Sequence, residues 1–277
     1  MTHPTPQCPR VLSIAGSDSG GGAGIQADIK TITALGGYAM TAITALTAQN
    51  TQGVQDILPV PPQFIRDQIR CVVDDLGVDA IKTGMLGGVV QTQAVAAEIA
   101  QTRQNAPDLV VVVDPVMVAK GGAALLDEDA LACLRTTLLP LATLITPNLP
   151  EAEKLTGLTI HTVEEMKAAA LWLHQHTGAA VLLKGGHLAG ERVVDVLLDT
   201  AGTREFVGQR ITTRHTHGTG CTLASALATT LAQGLALPDA VRRSCQYVHD
   251  AIAQAPGLGR GAGPLWHAHA WYPTIRP

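Results

Sequence analysis

The sequence predicts an α/β fold, a three-layer α/β/α sandwich built on a mostly parallel sheet. Short apolar runs alternate with longer amphipathic stretches along all 277 residues, and strands separated by helices imply right-handed βαβ crossovers. The run at 110–116, VVVVDPV, is almost wholly apolar, as expected of a central parallel strand buried on both faces. Because no internal repeat or linker divides the chain, we expect a single domain over residues 1–277, with residues 1–10 flexible.

The predicted elements follow one another in a regular order. The first strand is predicted at 11–16, and apolar residues then recur at helical spacing over 25–37, where glycine acts as a stop signal. Further strands are predicted at 41–46, 79–84, 109–116, 141–148 and 179–186, and a strand pair at 192–208 with Gly202 in its turn. Helices are predicted near 62–75, 89–103, 127–138, 163–177, 220–233 and 238–255. The tail, 257–277, is expected to be irregular and to pack over the body.

Composition excludes several classes of function. The net charge is −4 with no basic block, and aromatic residues make up only 3% of the chain. Nucleic acid is therefore not the expected partner, because its binding needs clustered cations or stacking platforms. No apolar run approaches the length of a membrane span, and the start of the chain shows no signal peptide. The five cysteines are widely spaced and odd in number, which favours free thiols in a reducing cytoplasm.

Polar and glycine-rich clusters follow the predicted strands. They are GSDSGGGAG, TAQNT, KTGML, DPVM, TPNLPE and KGGH. In open α/β sheets the ligand lies outside the carboxyl ends of the strands. We therefore expect these clusters to form one composite site.

The most informative segment is HGTGC, at 217–221, which opens onto a helix of small residues. Backbone amides at such a helix start have no partner within the helix and form a cradle for an anion. The same field is expected to lower the pKa of the Cys221 thiol, which would then take a proton from an alcohol or hold the alcohol in line. The alternative is a capping loop with a buried, inert cysteine.

Other candidates depend more on their context. The glycine loop at 16–28 matches neither the Walker A pattern nor the dinucleotide pattern, and a tight turn without a ligand is its alternative. Asn148 and Glu151 would suit magnesium, directly or through water, but the same spacing also describes a helix cap. Lys184 at a strand end would neutralise phosphate oxygens, unless it is simply solvated. Asp114 ends the most apolar strand and is expected to need a partner.

The pair His267 and His269 in WHAHAW has the side chains for a metal site. Nothing in the sequence supplies further ligands at a nearby spacing, which disfavours a metal role.

Taken together, these motifs resemble one enzyme family. The segments GSDSGGGAGIQADIKT, ITALTAQNTQGV, IKTGML, VVDPVMVAKGG, LITPNLPEAEKLTG, LLKGGH and THGTGCTLASALA occur in the order known from hydroxymethylpyrimidine/phosphomethylpyrimidine kinases of the ribokinase-like superfamily. The resemblance runs from about residue 10 to the WHAHAW tail. It implies a ribokinase-like fold, a dimer, and phosphoryl transfer from Mg²⁺ and ATP to a hydroxymethylpyrimidine and then to its monophosphate.

The resemblance also implies roles for individual residues. It places Asp28, Gln49, Met85 and Val116 at the pyrimidine, and the amide of Gln49 is the foremost candidate because it both donates and accepts. The nucleotide side comprises Asp114, Asn148, Glu151 and Lys184, with Glu151 serving magnesium through water. Gly218, Thr219 and Gly220 form the anion hole, and Cys221 stands where most ribokinase-like enzymes carry an aspartate base.

Two positions depart from the family's pattern, and three other functions compete. The glycine loop reads SDSGGG where a proline and a serine are more usual, and His215 replaces a common asparagine. A pyridoxal kinase would use the same motifs, and Cys221 would add reversibly to its aldehyde. A nicotinamide oxidoreductase is disfavoured by the failed dinucleotide pattern, and a non-catalytic sensor by the intact GTGC.

Overall fold

The computed structural model describes residues 8–117 and 127–272. The strands are β1 (Arg10–Asp18), β2 (Tyr38–Asn50), β3 (Gly53–Pro59), β4 (Ala80–Thr83), β5 (Val110–Val113), β6 (Leu144–Ile145), β7 (Ala180–Leu183), β8 (Arg192–Asp199) and β9 (Gly202–Gln209). The helices are α1 (Gly24–Ala34), α2 (Pro62–Leu76), α3 (Val89–Asn105), α4 (Glu128–Cys133), α5 (Leu149–Thr156), α6 (Val163–Thr177), α7 (Thr219–Ala232) and α8 (Leu237–Ala253). After α4 the chain continues through a π-helical turn, Leu134–Leu138, and a short 3-10 turn, Leu139–Leu141.

All nine described strands belong to one sheet, in the order β3-β2-β1-β4-β5-β6-β7-β8-β9. The six strands from β2 to β7 pair in parallel, whereas β3 at one edge and β8 and β9 at the other pair antiparallel. The predicted mostly parallel sheet is confirmed. Short connections explain the antiparallel edges, because only antiparallel neighbours can be joined by a tight turn.

Alternate residues of the central strands enter two separate hydrophobic cores. In β5, Val111 and Val113 belong to the core under α2, α3 and α6, and Val112 belongs to the core under α1, α7 and α8. All three valines are fully buried. This is the pattern of a sheet covered on both faces, and it confirms the predicted three-layer sandwich.

Several elements differ from their predicted form. Strand β3 was missed, although Asn50 and Gly53 bound a two-residue turn that pairs it with β2. Helix α5 was not predicted as a separate element. Strands β4 to β7 are shorter than predicted, because the residues that follow them already belong to loops, whereas β1 and β2 are longer than predicted. Residues 1–7 of the stretch expected to be flexible lie outside the described residues, whereas Arg10 already belongs to β1.

The tail packs on the body, as expected. Pro264 pairs with His217 in a short bridge, the Trp266 amide donates to the Ala251 carbonyl, and the Tyr247 hydroxyl donates to the His267 carbonyl at 2.8 Å. These contacts place the tail beside the start of α7. Among the described residues, no helix is long and apolar enough to cross a membrane.

Candidate active site

The start of α7 is held by a close contact with the glycine loop. Gly218 precedes the helix with φ of 85°, in the left-handed region that favours glycine. A Cβ at this residue would lie 1.8 Å from the carbonyl oxygen of Gly22. Gly220 and Cys221 occupy the first turn, where amides lack an intrahelical partner. The structure therefore brings the glycine loop and the predicted anion cradle together.

Gly220 faces an ion pair from the ends of β5 and β7, the two strands that flank β6. Lys184, after β7, donates through Nζ to Oδ1 of Asp114, after β5, at 2.9 Å. A Cβ on Gly220 would lie 3.3 Å from Asp114 Oδ2 and 3.3 Å from Lys184 Nζ. Three residues predicted from separate motifs thus meet at one point. A cation, a carboxylate and free helix amides are the groups that bind and orient a phosphate.

Asn148 and Glu151 form a helix cap, which their spacing also predicted as the alternative to a magnesium site. The Asn148 side chain accepts from the Glu151 amide at 3.0 Å, and Glu151 Oε2 accepts from the Asn148 amide at 2.8 Å. Burial and the charge of Asp114 raise the pKa of Glu151 to about 7, although Lys184 opposes this. The cap fixes a buried carboxyl beside the Lys184–Asp114 pair.

Cys221 lies near Lys82, Asp28 and Asp114, whose charges act on its thiol. The pKa of this thiol differs from the predicted one. Burial raises the pKa of Cys221 to about 11, with further contributions from Asp28 and Asp114, whereas Lys82 lowers it. The predicted lowering by the helix start was therefore wrong. The reason is that desolvation of a thiolate outweighs the field of one helix start. At neutral pH the thiol is protonated.

Asp28 is completely buried, which was not expected of a substrate contact. Lys82 Nζ donates to both carboxylate oxygens, at 2.8 and 3.0 Å, and the hydroxyls of Ser13 and Ser225 donate one bond each. Burial would lower the pKa of Lys82, but the charges of Asp28, Cys221 and Asp114 and the hydrogen bond to Asp28 together outweigh it, so that the pKa of Lys82 lies above its ordinary value. Three donor groups thus make four hydrogen bonds to the two oxygens of Asp28. Direct contact between Asp28 and a substrate stays a prediction that this geometry does not favour. Lys82 was missed because its strand position gave no sign of a partner.

Gln49 lies in a polar network that sequence analysis also missed. His217 Nε2 is 2.9 Å from Asp18 Oδ2 and 3.1 Å from Gln49 Nε2. Asp18 also accepts from the amides of Gly20, Gly22 and Ala23. A carboxylate directly after a strand and before a glycine run was the available signal. The network ties the glycine loop and β2 to the residue before Gly218.

Met85 and Val116 are the two apolar residues predicted to contact the substrate. A Cβ at Gly16 would lie 2.4 Å from Cε of Met85, so the methionine side chain lies directly on this glycine. Val116 borders a cavity that Asp114 and Thr83 also line, and the buried hydroxyl of Thr83 has no hydrogen-bond partner among the described residues. Both side chains are partly exposed. The structure thus places two predicted apolar contacts near the polar groups.

The histidines of the tail make contacts with the body of the protein. His267 Nε2 is 2.9 Å from the Thr222 hydroxyl, and burial lowers the pKa of His267 to about 4. Over residues 8–117 and 127–272, no group of three or more His, Cys, Asp or Glu is arranged to hold a metal ion.

Comparison with known proteins identifies the family of the chain. The sequence profile of phosphomethylpyrimidine kinase matches residues 18–266. The chain belongs to the phosphomethylpyrimidine kinase family. A hydroxymethylpyrimidine/phosphomethylpyrimidine kinase of Streptomyces coelicolor is 49% identical over 98% of this chain and 99% of its own. A thiamine biosynthesis bifunctional protein of Geobacter sulfurreducens is 54% identical over 93% of this chain, which spans only 52% of that longer protein.

Solved structures of related kinases share the fold. The ADP complex of Bacillus subtilis pyridoxal kinase is 39% identical with a TM-score of 0.87, over 95% of this chain and 99% of that one. A phosphomethylpyrimidine kinase of Clostridium difficile is 41% identical with a TM-score of 0.75, over 88% and 99% of the two chains. Membership of this family makes the chain an ATP-dependent kinase with a ribokinase-like fold.

Proposed function

We propose that this kinase phosphorylates the hydroxymethyl group of 4-amino-5-hydroxymethyl-2-methylpyrimidine and then phosphorylates the resulting monophosphate, as a step of thiamine biosynthesis. The relatives from Streptomyces coelicolor and Escherichia coli carry names with both kinase activities. The observation that carries the proposal is the meeting of Gly220, Lys184 and Asp114 at the start of α7. That meeting creates a site for a phosphoryl group at the carboxyl edge of the sheet.

The cradle supplies most of what phosphoryl transfer needs. The transition state is loose, so positioning and neutralisation of charge on the equatorial oxygens dominate catalysis. The amides of Gly220 and Cys221 and the Nζ of Lys184 are proposed to bind those oxygens. Asp114 holds Lys184 in place through the 2.9 Å contact. Gly218 and Thr219 shape the turn that aims the amides.

Cys221 is proposed to position the acceptor rather than to remove its proton at the start of the reaction. Its pKa of about 11 keeps the thiol neutral at pH 7. A neutral group suffices in the first step, because little proton removal is required before a loose transition state. It is also suited to the second step, since an anionic aspartate at this place would repel a substrate that already carries phosphate.

Magnesium fits the residues beside Lys184. Asp114 and Glu151 are two buried carboxyls close enough for Asp114 to raise the pKa of Glu151, and a cation would relieve that repulsion. Mg²⁺ prefers oxygen ligands and keeps several waters, so two carboxyl groups, the Asn148 side chain and the nucleotide phosphates would suffice. When bound, the ion neutralises phosphate charge. Glu151 is the proposed ligand, through water.

The pyrimidine is proposed to lie across Met85 and Val116 with its polar edge on Gln49. This arrangement combines two partly exposed apolar side chains with one amide, which is typical of a site for a small heteroaromatic ring. Asp28 is proposed to support the site from below, through Lys82 and Ser225, because its oxygens are already occupied.

Pyridoxal is a second candidate substrate, since several of the related structures are pyridoxal kinases at 32–39% identity. An ADP-release assay with the hydroxymethylpyrimidine, its monophosphate and pyridoxal decides between them. We expect both pyrimidines to be phosphorylated, with pyridoxal slower. Turnover of pyridoxal alone would overturn the proposal.

A homodimer in the cytoplasm is proposed as the working state. Apolar side chains are exposed on the β2–β3 edge and at the start of α2, namely Leu46, Ile57, Leu58 and Phe64, and Leu46 and Leu58 lie opposite each other in the β2–β3 pair. Exposed apolar clusters commonly mark protein interfaces. All five cysteines are free thiols, as a reducing compartment favours. Light scattering of the purified protein tests the dimer, and Leu58→Lys should dissociate it.

A further inference from the structure

The side-chain amide of Gln49 has two polar neighbours whose hydrogens can be assigned. As placed, Nε2 of Gln49 is 3.1 Å from His217 Nε2, and Oε1 is 3.2 Å from the hydroxyl of Thr47. The oxygen and nitrogen of an amide have almost the same shape, so their partners decide which is which. Both partners are constrained by other groups.

Asp18 determines the state of His217. Burial would raise the pKa of Asp18, but hydrogen bonds from His217, Gly20 and Ala23 outweigh it and leave the pKa below its ordinary value. Asp18 is therefore an anion that only accepts hydrogen bonds. The His217 nitrogen that faces it at 2.9 Å, Nε2, must carry a hydrogen. A second donor, the Gln49 nitrogen, cannot bond to that N–H.

Thr47 leads to the same conclusion from the opposite side. Its hydroxyl has one hydrogen, which it donates to the Ser17 carbonyl at 2.9 Å. Toward Gln49, 3.2 Å away, the hydroxyl therefore offers only lone pairs. An amide oxygen at that place would face an oxygen without a hydrogen between them. Turning the amide by 180° satisfies both contacts at once.

We infer that Gln49 is held with Oε1 against His217 and Nε2 against Thr47, and that Asp18 and His217 are positioning residues that fix the direction of this amide. The one hydrogen on His217 Nε2 is then shared in a three-centre bond between Asp18 Oδ2, at 2.9 Å, and Gln49 Oε1, at 3.1 Å, and Nε2 of Gln49 donates to Thr47. One lone pair and one N–H of the amide remain for a ligand, in a fixed order along its edge.

The fixed order of lone pair and N–H on the Gln49 amide selects the substrate. This step of the inference rests on the proposed function. A 4-aminopyrimidine presents an amino donor beside a ring-nitrogen acceptor. The 4-oxo analogue presents the reverse, a carbonyl acceptor beside a ring N–H. An amide free to turn would match either edge, whereas the held amide matches one and leaves polar groups unpaired with the other. Discrimination between the two pyrimidines therefore depends on His217, although His217 need not contact them.

Calorimetric titration of the full chain with the two pyrimidines tests this role. We expect His217→Ala to reduce the ratio of the two dissociation constants at least tenfold, mainly by tighter binding of the 4-oxo compound. His215→Ala is the matched control, because His215 lies two residues earlier and has no contact with Gln49 among the described residues; it should keep the parent ratio. An unchanged ratio in His217→Ala overturns the selective role.

The free protein gives a readout that does not depend on the substrate. Nuclear Overhauser effects should connect the Gln49 amide protons with Thr47, and the nitrogen shifts of His217 should show a hydrogen on Nε2. Amide protons directed at the His217 ring would overturn the inferred orientation. If neither pyrimidine binds, the proposed function fails, while these spectra still decide how the amide is held.

Discussion

Two lysine–aspartate pairs lie near Cys221 and differ in what surrounds them. Lys82 and Asp28 are separated by 2.8 Å and both side chains are fully buried. Lys184 and Asp114 are separated by 2.9 Å, but Lys184 retains 14% of its side-chain exposure and borders Gly220. The first pair is closed by two serine hydroxyls, whereas the second opens on a helix start. The same ionic contact thus supports the interior in one place and offers a binding surface in the other.

Lys82→Met should produce the largest effect on stability. Removing the lysine leaves Asp28 as a buried charge without its cation, which typically costs about 3–5 kcal/mol. Urea unfolding of the variant and the parent measures this loss. The double variant Asp28→Asn, Lys82→Met should recover much of it, because no charge is then left buried.

The matched change in the open pair sharpens the comparison. Lys184→Met should lose less stability than Lys82→Met, because water can reach the carboxylate that remains, but it should lower turnover strongly. If the two lysine variants lost equal stability and equal turnover, the distinction between a closed and an open pair would fail.

Gly220→Val should abolish most turnover without unfolding the protein. A branched side chain would extend from a Cβ that is already 3.3 Å from Lys184 Nζ and Asp114 Oδ2. Loss of one donor in a comparable oxyanion hole costs about 2.7–4 kcal/mol of transition-state stabilisation. ADP release measures the chemistry, and melting curves with the pyrimidine check the fold and the other half of the site. Activity above about a tenth of the parent contradicts the cradle.

Glu151 should give the metal-free protein a pH-dependent stability. Its pKa is raised from 4.5 to about 7 on folding, so its favourable contribution is complete below about pH 4.5 and is lost as the pH rises through 7. The change is on the order of 1–3 kcal/mol. Unfolding free energies between pH 4.5 and 8 measure it, and Glu151→Gln should remove this component. An identical pH profile in that variant assigns the effect elsewhere.

The two pairs also show which features of the fold and the site could be predicted from the sequence. Strand–helix alternation and strand-end motifs predicted the layered fold and the meeting of Asp114, Lys184 and Gly220. The cap formed by Asn148 and Glu151 was visible because it is local. The partnership of Asp28 with Lys82 spans 54 residues, and the burial that raises the pKa of Cys221 depends on several elements. Neither can be derived from spacing within one motif.

Cys221→Ala tests the region between the two pairs. A neutral thiol that positions the acceptor contributes one hydrogen bond, about 0.5–1.5 kcal/mol, so the first phosphorylation should slow by no more than about tenfold. Single-turnover rates of both steps measure this. A general base would contribute about 10²–10⁴-fold, and a loss of that size confined to the first step would restore the proton-removing role.

Gln49→Ala should have the smallest effect, because this residue contacts neither pair among the described residues. Pyrimidine affinity should fall by about 0.5–1.5 kcal/mol, while ATP affinity stays close to that of the parent. Separate titrations with each ligand provide the measurement. An unaltered pyrimidine affinity would remove Gln49 from the site.

The close contact between the glycine loop and the start of α7 has a consequence for the folding of the chain during its synthesis. Asp18 and His217 meet across 199 residues of chain, and a Cβ on Gly218 would strike the Gly22 carbonyl. Contacts this far apart in sequence require the closure of a long loop. During translation the first strands leave the ribosome long before their partner helix exists. The anion cradle at the start of α7 needs both segments, so a nascent chain that ends before α7 has none.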